Sequence, residues 1–208
     1  MNKPSKTRIL CLSELALLTA LVLLMAFTPL GYLQTPWGLQ ITFIVVPVAI
    51  GAVILGPGAG AALGLIFGLT SFANSFTSAL GSVFLQENAF FTFILAVVPR
   101  ILVGLLPGLL YAVLKKHART RTVGMAVCCL LTPLLNTLLY MSTLYLLFGQ
   151  TWLGIAQGAG YGGDGGISLL GFMLASVAVN GVAEAAACLI LGTAVCAALQ
   201  KTVNRKAA

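Results

Sequence analysis

A chain of 208 residues that is 60% hydrophobic and only 7% charged, with a mean hydropathy of +1.07, cannot keep such a surface in water and belongs in a bilayer. Its formal charge of +7 is not the footprint of a nucleic-acid binder. Ten of the eleven Lys and Arg residues fall into three clusters that flank apolar runs, Lys3/Lys6/Arg8, Lys115/Lys116/Arg119/Arg121 and Lys201/Arg205/Lys206, and such clusters are topology signals.

In chain order, the first basic cluster is followed by LCLSELALLTALVLLMAF. The combination looks like a secretory signal, but the apolar run is long and no small-x-small cleavage site follows, so an uncleaved first helix over Leu10 to Thr28 is expected. Within it Ala16 and Ala20 form a small-residue pair at helical spacing. Such a pair means close packing, in cis or against another protein, and spacing does not decide between them. An outside loop, Pro29 to Gln40, precedes the apolar stretch Ile41 to Phe76, which GPGAG (Gly56 to Gly60) splits into two shorter helices joined by a tight turn. Gly60, Gly64 and Gly68 then line one face of the second of these, as ordinary close helix packing requires.

After a second outside loop, Ser78 to Asn88, come three runs long enough to cross ~30 Å of hydrocarbon, Ala89 to Leu114, Val123 to Phe148 and Ser168 to Leu199. The last two are separated by an outside loop at Gly149 to Gly166 that contains the glycine-rich GAGYGGDGG. The expectation is an all-α membrane protein with six transmembrane helices, forming a single integral membrane domain over residues 1–208. Six spans place the N-terminus, GPGAG, the KKHARTR loop and the C-terminus together, so that every basic cluster and both termini are cytoplasmic. Leaving GPGAG unsplit would put the C-terminal cluster on the opposite side from the N-terminal one.

The chain offers little for catalysis. His117, the lone histidine, lies in a basic loop, the five cysteines (Cys11, Cys128, Cys129, Cys188, Cys196) form no CxxC pair, and neither HExxH nor a GxxxxGK[ST] phosphate loop is present. No catalytic residue, metal or cofactor is expected. The eleventh cation, Arg100, stands alone in FFTFILAVVPRILVGLLPGLLYAVL, where a charge costs ~2.5–3.5 kcal/mol on insertion scales. Polar groups recur at similar depth: Asn136, Asn180, Glu184 and Asn74. Together they outline one polar cavity in which Arg100 holds an anionic group while the asparagines serve amides or hydroxyls. The alternative is that Arg100 and Glu184 neutralise each other across a helix interface. Tyr140, in the same NTLLYM segment as Asn136, and Gln40 and Trp37 from the first outside loop complete the candidate binding set. Tyr32 and Gln34 in that loop, and Trp152, Gln157, Tyr161 and Asp164 in the last, either close over a small molecule or anchor the chain at the interface.

Four segments carry a family resemblance: ITFIVVPVAIGAVILGPGAGAALGLIFG (Ile41 to Gly68), VPRILVGLLPGLLY (Val98 to Tyr111), LLNTLLYMSTLYLLFG (Leu134 to Gly149) and VNGVAEA (Val179 to Ala185). The chain resembles the substrate-capture subunit, or S-component, of energy-coupling factor vitamin transporters, and is most similar to pantothenate-type members. The resemblance implies a six-helix protein of the prokaryotic plasma membrane that binds a small-molecule vitamin from outside. It also implies as partners a transmembrane coupling subunit and two ATP-binding-cassette ATPases that supply the energy. Ala16 and Ala20 match the family's docking motif for the coupling subunit. Two other readings are an S-component for another anionic vitamin such as folate, and a small intramembrane enzyme using Glu184 as acid or base.

Overall fold

The structure is a computed structural model and describes residues 6–28, 31–34, 40–115, 118–158 and 181–199. In chain order these form α1 (Lys6–Ala26), β1 (Tyr32–Gln34), β2 (Gln40–Thr42), α2 (Val45–Ile54), α3 (Pro57–Asn74), α4 (Ala79–Glu87), α5 (Ala89–Leu114), α6 (Ala118–Gly158) and α7 (Gly181–Leu199). Helices α1, α5, α6 and α7 are long and apolar enough to cross a membrane, and the pair α3 and α4, bent by 89°, makes a fifth crossing if counted as one span. The sixth run, expected from Ser168, is described from Gly181 onward.

The break at GPGAG is where the expectation put it. Leu55 closes α2, Gly56 takes φ 101°, and Pro57 opens α3. Only glycine enters that left-handed region without strain, and proline at a first helical position has no N–H to leave unsatisfied. Helix α2, with 10 residues, is ~15 Å long, half the hydrocarbon thickness. Its burial is nevertheless nearly complete, with Val45, Val48, Ala49 and Ala52 at 0–1% exposure.

Helices α3 and α5 lie antiparallel with their backbones in contact. A Cβ added at Gly64 would stand 2.2 Å from the Arg100 carbonyl oxygen, one at Gly104 would stand 1.9 Å from that of Gly60, and one at Gly68 would stand 2.8 Å from the Val97 Cα. The glycine face of α3 thus packs within the molecule, against the helix that carries Arg100. In and around this pair Val22, Val48, Leu63, Phe67 and Tyr111 form the main core with Cys128, Cys129, Cys188 and Cys196, so four of the five cysteines are buried thiols, while Cys11 on α1 is exposed.

The connections before α2 and between α3 and α5 differ from plain loops. The first contains a two-stranded antiparallel hairpin, with Tyr32 opposite Thr42 and Gln34 opposite Gln40; strands of three residues leave no readable alternation. The second holds α4, whose first turn is capped by the Ser78 hydroxyl accepting from the Gly81 N–H at 3.2 Å. Asn88 then caps α5, its Oδ1 accepting from the N–H groups of Phe90 at 3.0 Å and Phe91 at 3.2 Å. The span breaks at Phe148, where it was expected to end, with non-helical angles (φ −130°, ψ 29°), and a second helical segment runs on from this kink to Gly158. The cause is burial, because Phe148 and Trp152 are 2% and 1% exposed in a cluster with Phe84, Leu95, Met141 and Leu144. Trp152 is therefore a core residue and neither a lid nor an interfacial anchor.

Candidate functional site

A cavity of about 110 Å³ lies where β1, β2 and helices α3 to α7 converge. Arg100, Asn136, Glu184, Tyr140 and Asn74 all line it. The sequence thus brought together side chains from four helices. Asn180 and Trp37 lie outside the described residues, as do Tyr161 and Asp164; Gln40 is placed by its backbone in β2, paired with Gln34. Ala16 and Ala20 are exposed on α1.

Arg100 is only 6% exposed. Its Nη1 donates to the Leu95 carbonyl at 2.9 Å, and its guanidinium carbon stands 4.3 Å from the ring centre of Tyr140 and 5.5 Å from that of Phe67. Stacking on aromatic faces stabilises a dehydrated cation without consuming its N–H donors. Among the described residues the Nε of Arg100 has no hydrogen-bond partner.

Glu184 is engaged elsewhere. One carboxylate oxygen accepts from the Thr42 backbone N–H at 2.7 Å, and the other accepts from Asn136 Nδ2 at 3.5 Å. The carboxylate thereby ties α7 to β2 and to α6. Among the described residues no ion pair joins Arg100 to Glu184, so the two charges share a cavity without neutralising each other by contact. The orientation of Asn136 leaves its Oδ1 buried and, among the described residues, unpartnered.

Tyr32 adds a third unpartnered group. Its buried hydroxyl has no close hydrogen-bond partner among the described residues but lies within reach of the Thr70 and Ser71 side chains, and burial pushes the phenol above its ordinary pKa, which keeps it protonated. A buried polar atom without a partner costs about 1–3 kcal/mol. One cavity here holds three, a cationic donor, an acceptor and a hydroxyl, and such a set is complementary to an organic anion that also carries amide or hydroxyl groups. Thr42, Ser71, Ser75, Ser78, Thr92 and Thr137 line the same space, and reading the sequence did not single them out. The hydroxyl-rich run SFANSFTS was the one available signal, and its placement depends on the bend between α3 and α4.

A family model described as ECF transporter, substrate-specific component, matches residues 12–196. The chain belongs to this family. This S-component is similar to the pantothenic acid transporter PanT of Lactococcus lactis subsp. cremoris, with 32% identity covering 92% of this chain and 96% of the relative. It is also similar to the pantothenate transporter PanT of Leuconostoc mesenteroides subsp. mesenteroides, with 31% identity covering 86% and 83%. The S-component is thus a multi-pass membrane transport subunit and not an enzyme, which sets aside the reading of Glu184 as an acid or base. Membership also implies that it works with an energy-coupling module.

Proposed function

We propose that this S-component captures pantothenate at the outer face of a prokaryotic plasma membrane, and that Arg100 receives its carboxylate. The observation that carries the reading is the set of three unpartnered buried groups around one cavity, Arg100 Nε, Asn136 Oδ1 and the Tyr32 hydroxyl. A guanidinium offers a carboxylate a planar fork of donors, Asn136 accepts from the ligand amide N–H, and Tyr32, Asn74 and the surrounding hydroxyls serve the ligand hydroxyls. Tyr140 holds the guanidinium plane, Glu184 orients Asn136, and Asn180, Gln40 and Trp37 complete the proposed binding set. The names of the two PanT relatives support the same substrate. A compact cavity suits a small monoanion better than an extended multi-ring acid such as folate.

Under this reading residues 1–208 act as a single domain. Counting α2 and the bent α3–α4 pair as crossings gives six spans, with both termini and the basic loop before α6 in the cytoplasm. A transmembrane coupling subunit docks on Ala16 and Ala20, and two ATP-binding-cassette ATPases drive release inward. The test is to purify the protein, identify any small molecule bound to it by mass spectrometry, and then titrate it with a panel of water-soluble vitamins. Pantothenate is expected to bind and the others not. Binding of another vitamin in preference to pantothenate would overturn the substrate assignment.

A further inference from the structure

We infer that Pro99 is a positioning residue for substrate capture: lacking an N–H, it leaves the Leu95 carbonyl to the Arg100 guanidinium and so fixes the cation in the cavity. This inference rests on the reading of Arg100 as the receptor for the substrate carboxylate. In a regular helix the Leu95 oxygen would accept from the N–H of residue 99. Proline removes that donor, and the Arg100 Nη1 takes its place at 2.9 Å. The exchange is local, because side chains on a helix lean toward its N-terminus and a long one reaches back over the preceding turn.

The consequence for binding is preorganisation. Arginine is among the side chains with the most rotamer freedom to lose, and a side chain already fixed in its bound orientation makes binding less costly. Anchoring through Nη1 at one edge, with the plane stacked against Tyr140 and Phe67, leaves the opposite edge of a guanidinium that lines the cavity to a carboxylate, Nε itself having no partner among the described residues. The second proline of α5, Pro107, also interrupts the helical bonding, but Gly108 follows it and no cation can use the carbonyl it frees. Pro107 therefore serves as the matched control.

The experiment measures Kd for pantothenate and for pantothenol, in which a neutral alcohol replaces the carboxylate, together with thermal unfolding of each protein. Wild type is expected to prefer the acid and Arg100→Met to lose that preference. Pro99→Ala and Pro99→Ser both restore an N–H for Leu95, and both are expected to lower the acid-to-alcohol preference about tenfold, the scale of one charge-assisted hydrogen bond. Pantothenol affinity and unfolding temperature should change little, and Pro107→Ala should keep the wild-type preference. An undiminished preference in both Pro99 variants would overturn the inference, as would equal loss of both ligands or failure of both variants to fold. A wild-type protein that does not distinguish acid from alcohol would instead remove the role given to Arg100 itself.

Discussion

At the scale of single residues, the cavity separates groups that meet a ligand from groups that hold the wall. Glu184 belongs with the wall, because its two oxygens are committed to the Thr42 N–H and to Asn136. Glu184→Ala should destabilise the protein by about 1–3 kcal/mol by stranding a buried N–H, while Glu184→Gln, which keeps an oxygen facing Thr42, should retain most of that stability. Thermal unfolding of the two purified variants decides the point, and equal losses would contradict it. Arg100, Asn136, Glu184 and Asn74 were legible in the sequence because polar groups in apolar runs are costly and therefore conspicuous. Thr92 and Thr137 were not, since a hydroxyl can bond to its own helix and sit anywhere in a span at little cost; Thr92 donates to the Asn88 carbonyl at 2.9 Å and Thr137 to the Pro133 carbonyl at 3.1 Å.

The elements whose boundaries were legible are those set by backbone chemistry. Gly56 and Pro57 mark the turn between α2 and α3 because conformational freedom and a missing donor belong to the residue itself. The helix α4 over the cavity, the three-residue strands and the continuation of α6 past Phe148 depend on tertiary burial, chiefly the packing of Phe84, Phe148 and Trp152, and leave only a faint local pattern. The glycine face of α3 was visible, but its partner was not. Gly64→Ala is expected to cost about 1–3 kcal/mol through overpacking and to weaken pantothenate binding, because the added methyl meets the carbonyl of Arg100 itself. Gly58→Ala, on the same helix with nothing within 4 Å, should leave both unchanged. Thermal unfolding and a binding titration on the pair test this, and tolerance of Gly64→Ala in both would contradict the backbone contact.

At the scale of the whole molecule, capture and transport are separable. The cavity is built from β1, β2 and helices α3 to α7, whereas α1 exposes Leu12, Leu17, Leu21 and Leu24 along its length and carries the exposed Ala16 and Ala20. Replacing both alanines with leucine should leave pantothenate affinity unchanged while uptake in cells falls, and uptake at the wild-type rate would remove this face from the coupling contact. The basic clusters made the membrane class readable, since charge placement records topology; the convergence of five helices on one cavity is a property of packing that no single run encodes. The most direct test of the account is calorimetric titration of pantothenate into wild type and Arg100→Met. The account predicts saturable one-to-one binding by wild type and its loss in a variant that still unfolds cooperatively; undiminished binding by Arg100→Met would contradict it.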